Sequence, residues 1–201
     1  MIKVVLADDE RLTRQAVAAL LGLEPDLTVV ADVADGVEAL RAVVEHRPDV
    51  VVLDVEMPGM DGLAVLAKLA ADGHPARSVM LTRHARPGVL RRALSLGAKG
   101  FLAKTAPAAL LAEVVRRVHA GLRYVDPDFA AAALAEPDCP LTDRELEILR
   151  HVDDTTTAAD IARTLNLSAG TVRNYVSSAM AKLAARSRTE AVRIARDQGW
   201  I

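Results

Sequence analysis

Residues 50–53 read Val-Val-Val-Leu, apolar at every position, and an aspartate follows at 54. A strand with one wet face alternates polar and apolar side chains, so a run without alternation belongs to a strand covered on both sides. Similar β-branched runs occur at 3–8, 27–33, 77–82 and 99–103, and the central one spans 49–54. Amphipathic stretches separate them at 10–22, 35–47, 61–73 and 86–97, and another follows at 106–120. Strict strand–helix alternation implies an α/β domain over 1–120, a five-stranded parallel sheet with helices on both faces.

The pattern changes after residue 120. Residues 121–140 hold Gly121, Pro127, Pro137 and Pro140 and read as a linker, with an Ala-rich short helix at 128–135. Residues 141–201 contain no convincing strand; helical patterns lie at 142–152, 158–165, 169–184 and 188–198. Thr142 with Glu145 and Ser187 with Glu190 have capping-box spacing, and Ser168 caps the third helix. The second domain is therefore small and all-α. With 51% hydrophobic but only 2% aromatic residues, both cores must be built from Ala, Val and Leu.

Composition also removes whole classes of function. The net charge of −2 rules out a bulk polyanion binder, though not a local basic patch. The single cysteine, Cys139, permits neither an internal disulfide nor a Cys-rich metal site. No apolar run approaches the ~20 residues that span a bilayer. A strand that starts at residue 3 leaves no room for a secretory leader, so the cytoplasm is the expected location and no membrane partner is expected.

In an open α/β sheet, ligands bind at the carboxyl ends of the strands. Strand one ends at Asp8-Asp9, strand three at Asp54, strand four at Thr82, and strand five leads to Lys104. Any one of these alone reads as a cap, a turn or a solvated side chain. Together they are chemically coherent. Three carboxylates in one crevice repel each other unless a cation joins them. Hard oxygen donors suit Mg²⁺. A carboxylate beside Mg²⁺ can attack a phosphoryl donor and become an aspartyl phosphate. Lys104 and the Thr82 hydroxyl then supply a charge and a hydrogen bond to the phosphoryl oxygens.

Asp8-Asp9, the run Asp54-Val-Glu-Met-Pro-Gly-Met-Asp-Gly62, Leu81-Thr82 and Lys104 resemble the defining motifs of two-component receiver domains, which have a flavodoxin-like fold. The resemblance implies that Asp54 accepts phosphate from a phosphohistidine on a sensor histidine kinase. It implies that Asp9 ligates Mg²⁺ directly, Asp8 through water, and Glu56 through its backbone carbonyl. Thr82 and Phe101 match the family's switch positions: phosphate draws Thr82 inward and Phe101 rotates into the vacated space. Glu56 and His84 match positions that flank the phosphoryl group and tune its lifetime. Pro58 fixes a backbone dihedral after strand three, and Gly62 permits close approach.

Residues 159–183 carry a helix-turn-helix pattern. Ile161, Ala162 and Leu165 face inward on the first helix, Asn166-Leu167-Ser168 make the turn, and Val172, Val176, Ala179 and Leu183 keep the second helix on the core. Its opposite face offers Thr171, Arg173, Asn174, Ser177, Ser178 and Lys182, which fits entry into a major groove. Residues 166–201 hold six basic residues against two acidic ones, so the positive footprint lies on this half.

Leu141-Thr-Asp-Arg-Glu-Leu-Glu-Ile-Leu149, Ile161-Ala162 and Leu167-Ser-Ala-Gly-Thr-Val172 resemble the LuxR-type domain. The two halves together are similar to a NarL/FixJ-family two-component response regulator over nearly the whole chain. The resemblance implies base-edge contacts at Arg173, Asn174 and Ser177, phosphate contacts at Thr171 and Lys182, a double-stranded DNA operator, and a homodimer when phosphorylated. It implies no enzyme. Three features depart from the family: Ser177 replaces a frequent basic residue, Tyr175 a frequent histidine, and residues 153–159 lack the usual glycine and Asn-Lys pair. Two other readings stay open: a transcription regulator that works without phosphorylation, and a phosphohydrolase with Asp54 as nucleophile and Glu56 as acid. The acidic pair, the short loops, the missing cap domain and the helix-turn-helix oppose the latter.

Overall fold

The computed structural model describes residues 1–83, 87–135, 139–153 and 155–201, so His84, Glu136, Pro137, Asp138 and Asp154 lie outside it along with two neighbours of His84. The described chain falls into two compact units, with residues up to 132 in the first, apart from the start of its fourth helix, and the remainder in the second.

The first unit alternates β1 (Ile2–Ala7), α1 (Arg11–Gly22), β2 (Leu27–Val33), α2 (Gly36–His46), β3 (Val50–Asp54), α3 (Gly62–Ala71), β4 (Arg77–Thr82), α4 (Pro87–Ser95), β5 (Gly100–Ala103) and α5 (Ala108–His119). All strand pairs are parallel, in the order β2-β1-β3-β4-β5, with a sixth strand, β6 (Tyr124–Val125), outside β5. One sheet face presents Val4, Leu6, Val50, Val52, Val79, Leu81 and Leu102 to Leu21 of α1 and to Leu111, Val114, Val115 and Val118 of α5. The alternate residues Val5, Val51, Leu53, Met80 and Phe101 face the other way and are fully buried too. Both sides of the central strands are therefore covered, as the unbroken Val-Val-Val-Leu run requires.

The order reverses direction between β1 and β3. β1 leads outward to β2, and β3 leads outward through β4 and β5. The connections leave on opposite sides at this point and open a crevice at the strand ends. It is there that β1 delivers Asp8 and β3 delivers Asp54.

A sixth strand was not expected from the sequence. β6 (Tyr124–Val125) joins the outer edge of β5, with Tyr124 N–H on Lys99 O and Asp126 N–H on Phe101 O, both at 2.9 Å. Two residues are too few to display a period of two, so this strand is invisible to pattern reading. α6 (Pro127–Ala135) follows, and its Phe129 ring packs edge-on against Phe101 with centroids 5.5 Å apart. The first half of the stretch read as a linker thus belongs to the first unit.

The second unit comprises α7 (Asp143–Arg150), α8 (Ala158–Thr164), α9 (Ala169–Lys182) and α10 (Arg188–Asp197) around Ile148, Leu149, Ile161, Val172, Ala179, Ala191 and Ala195. Thr142 and Glu145 form the expected capping box. Ser168 accepts from Thr171 N–H at 3.0 Å. Ser187 accepts from Glu190 N–H, but the Glu190 carboxylate accepts from Arg186 N–H, one residue before the cap, so only half of that box forms. A further box, Thr157 with Asp160, starts α8. The α8–α9 turn places Asn166 at φ 53°, a left-handed conformation that asparagine tolerates well. Among the described residues, no helix is long and apolar enough to cross a membrane.

Candidate functional site

The crevice at the β1/β3 strand ends holds the acidic set. Asp8 and Asp54 are buried, at 1% and 3% exposure, while Asp9 is exposed. Lys104, just beyond β5, reaches back between them: its Nζ lies 2.6 Å from Asp54 Oδ2 and 2.8 Å from Asp8 Oδ2. The Lys104 side chain is 7% exposed, so this ammonium is committed to the crevice. Lys104 N–H donates to Thr82 O at 2.8 Å, which sets the ends of β4 and β5 side by side, and Thr82 is itself buried.

Local structure explains why Asp54 stands where it does. β3 is buried at every residue, so its last side chain emerges at the floor of the crevice. Glu56 N–H turns back to Asp54 Oδ1 at 3.2 Å. The α3 N-terminus then crosses directly over the strand end. A Cβ on Gly62 would sit 2.1 Å from Asp54 O, so only glycine permits this crossing.

Electrostatics set Asp54 apart. Burial pushes its carboxyl above the usual aspartate range. The hydrogen bond and charge of Lys104 and the Glu56 N–H pull the other way, while the charge of Asp8 adds to the upward push. One ammonium serves Asp8 and Asp54, with Glu10 Oε2 also 3.8 Å away. The crevice is therefore short of positive charge.

These residues fit a divalent cation. One carboxylate oxygen each from Asp8, Asp9 and Asp54 lie within 4.8 Å of one another, and all are hard donors. Asp8 Oδ2 is buried and close to Lys104 Nζ, yet outside hydrogen-bonding geometry, so it retains an unused acceptor. Glu10 is a site neighbour the sequence reading missed. Its N–H donates to Asp8 Oδ1 at 2.9 Å, and its carboxylate pairs with Arg83. Its position after the acidic pair was the only available hint. Arg14, which donates to Asp8 O at 2.5 Å, carried none.

Phe101 is fully buried. Thr82 stands opposite Ala103 and Met80 opposite Phe101 in the β4–β5 register, so Thr82 and Phe101 share a sheet face one pleat repeat apart. Glu56 is exposed beside the crevice; His84 lies outside the described residues.

In the second unit, Arg173, Asn174 and Ser177 are exposed along one side of α9. Thr171 is half-buried, and its hydroxyl lies 2.8 Å from Ser168 Oγ at the cap. Lys182 is exposed, as the sequence reading has it, and its Nζ also lies 2.8 Å from Glu145 Oε2 of α7. Ser178 turns inward, donating to Glu145 Oε1 at 2.6 Å. In the stretch 153–159, Asp153 accepts from Thr155 N–H and Thr156 N–H, at 2.8 and 2.6 Å, which engages donors within the loop.

Comparison with known proteins matches both units. Residues 4–116 fit the response regulator receiver domain, and residues 139–195 fit the bacterial regulatory proteins of the luxR family. The uncharacterized transcriptional regulatory protein YvfU of Bacillus subtilis (strain 168) is 41% identical over 201 residues, with both chains fully covered. The transcriptional regulatory protein DesR of the same organism is 38% identical, covering 100% of this chain and 99% of its own. Among solved structures, the response regulator ChrA of a heme-sensing two-component system superposes with a TM-score of 0.60 at 32% identity, covering 100% of this chain and 98% of its own.

Proposed function

The chain belongs to the two-component response regulators that join a receiver domain to a LuxR-type DNA-binding domain, and from that premise we propose that phosphorylation of Asp54 by a sensor histidine kinase controls its binding to operator DNA. The protein is a two-component transcriptional regulator. The observation that carries the proposal is the buried Asp54 carboxylate, held 2.6 Å from Lys104 in a crevice deficient in positive charge.

Asp54 is the nucleophile. A carboxylate oxygen forms a bond to phosphorus as the phosphorus–nitrogen bond of a phosphohistidine breaks, and the electron pair leaves with the imidazole. Asp9, Asp54 and the Glu56 carbonyl would hold Mg²⁺ with Asp8 nearby, and the ion would supply positive charge to the transferring group when bound. Lys104 is already in place to pair with a phosphoryl oxygen, and needs only to loosen its contact with Asp54. Thr82 donates its hydroxyl to another oxygen. Its movement makes room on the face it shares with Phe101, which rotates and changes the surface beyond β5.

Phosphorylation promotes a homodimer, so that two DNA-binding domains engage two half-sites of double-stranded DNA and avidity raises affinity. Arg173, Asn174 and Ser177 read base edges, and Thr171 contacts a phosphate. The receiver domain is taken as residues 1–120 with the short β6 and the start of α6 appended, and the DNA-binding domain as residues 141–201. The cytoplasm, where the DNA is, is the place of action.

The test is phosphoryl transfer and DNA binding in wild type and Asp54→Ala. The wild-type chain, charged with a stable phosphoryl mimic such as beryllofluoride with Mg²⁺, is expected to bind a selected duplex at least ~10-fold more tightly, as coupling energies of this kind allow. Asp54→Ala should take no phosphate and show no gain. Equal affinity with and without the mimic would instead make the protein a phosphorylation-independent regulator.

A further inference from the structure

α9 carries two polar side chains, the half-buried Ser178 and the exposed Lys182, that are tied to a neighbouring helix while Arg173, Asn174 and Ser177 stand on its exposed side. Ser178 and Lys182 lie one turn apart and converge on the Glu145 carboxylate of α7. Glu145 is 2% exposed and is the one buried carboxylate among the described residues of the second unit. Its Oε1 accepts from Ser178 Oγ at 2.6 Å. Its Oε2 accepts from Lys182 Nζ at 2.8 Å, from Thr142 N–H at 2.7 Å and from Thr142 Oγ1 at 3.0 Å. One carboxylate thus ties the start of α7 to the middle and end of α9.

We infer that Glu145 is a positioning residue for DNA reading: through Ser178 and Lys182 it fixes the rotation of α9 about its own axis, and so the direction in which Arg173, Asn174 and Ser177 point. The inference rests on the reading that those three residues face DNA.

The helical arithmetic supports it. At ~100° per residue, Ser178 and Lys182 are ~40° apart, and they lie between the apolar stripe of Val172 and Ala179 and the outward stripe of Asn174 and Ser177. The apolar stripe alone is a poor lock. Val172 and Ala179 are both fully buried and Val176, Met180 and Leu183 pack against the same core, but apolar contact has no preferred direction. Charge-assisted hydrogen bonds are short and directional. A roll of ~20° displaces an atom ~6 Å from the axis by ~2 Å, from the helix dimensions alone. Recognition geometry tolerates about 0.5 Å. A handle on the flank of the helix, beside the reading face and not on it, resists that roll without occupying the groove. The four donors outweigh the cost of burial and hold the Glu145 carboxyl down at about 2, so it stays ionised throughout the neutral range.

A phosphate contact by Lys182 is the competing assignment, and the two differ in what they do to specificity. The experiment uses the full-length chain, a duplex enriched from a random library by that chain, and a scrambled duplex, each titrated over a range of salt. If Lys182 positions the helix, Lys182→Met should weaken binding to the enriched duplex by at least ~10-fold, the scale of one lost base contact, and leave the scrambled duplex and the salt slope nearly unchanged. Ser178→Ala should act in the same direction and more weakly. In a Glu145→Gln background, neither change should add its full effect, because all three remove one network. Ser178→Ala, a small change, keeps the test alive if Lys182→Met unfolds the domain.

Equal losses on both duplexes, with the salt slope reduced by ~1, would make Lys182 a phosphate ligand and overturn the inference. So would full additivity with Glu145→Gln, or no loss of specificity in any of the variants. A wild-type chain that enriches no duplex overturns the base-reading assignment itself, and the inference with it.

Discussion

Asp54 in the receiver domain and Glu145 in the DNA-binding domain are both buried carboxylates beside a lysine ammonium, at 2.6 and 2.8 Å. Burial prevails at Asp54, whose carboxyl is pushed up, and hydrogen bonding prevails at Glu145, whose carboxyl is pulled down to about 2. The difference lies in how many donors each receives. Lys104 is divided between Asp54 and Asp8, and a second negative charge adds to the strain of burial. Glu145 has Lys182, Ser178 and both donors of Thr142 to itself. A carboxylate left short of donors attracts a cation and an electrophile, whereas a saturated one is a structural tie.

Acid breaks this contrast most severely. Glu145 is depressed from the usual glutamate range to about 2, which corresponds to about 3 kcal/mol of stability in the DNA-binding domain. The sign follows from the depression. The contribution is complete above ~4.3, the unfolded value, and drains away as pH falls through about 2. The single tryptophan, Trp200, packs against the core of this domain, so its fluorescence reports the loss. Wild type should outlast Glu145→Gln in denaturant at pH 7, and the advantage should vanish near pH 2.

Magnesium tests the other side. A cation that relieves the receiver crevice should raise its unfolding free energy by ~2.7 kcal/mol at one hundred times its dissociation constant. Asp9→Asn should remove most of the gain, and calorimetry with and without MgCl₂ measures it. Asp54→Asn gives a smaller effect of the opposite sign to that of Glu145→Gln. Removing an under-compensated buried charge in metal-free buffer should raise the receiver's melting midpoint by roughly a few degrees. A fall would mean that Lys104 compensates Asp54 more fully than its shifted carboxyl implies.

The smallest effect lies at the end of α9. Ala184 sits at φ 50°, where an alanine Cβ is strained and glycine is not. Ala184→Gly should stabilise the DNA-binding domain by up to ~1 kcal/mol, measured by thermal unfolding. It should leave the Glu145 network, and hence the comparison, unchanged.

The contrast also marks what a sequence can disclose. Asp8, Asp54, Thr82 and Lys104 were legible because each ends or directly follows a strand, and strand ends meet in an open parallel sheet. Glu145 was legible as the third residue of a capping box, a relation that spans three positions. Its bonds to Ser178 and Lys182 span 33 and 37 positions and join two helices whose relative rotation no local pattern encodes. For the same reason the pairing of the exposed Lys182 with Glu145 leaves no mark in the local pattern. Glu10 and Arg14 escaped notice because their roles depend on how α1 leaves the crevice, which the motif does not specify.

The short strand Tyr124–Val125 has a practical consequence for anyone who cuts this chain. A fragment ending at 120, where the alternating pattern stops, would leave the backbone edge of β5 open and take the Phe129 ring off Phe101. An uncapped parallel edge beside a bared aromatic invites strand-to-strand aggregation. An isolated receiver that retains residues through 132 keeps its own edge guard, and is the piece to expect in solution as a well-behaved protein.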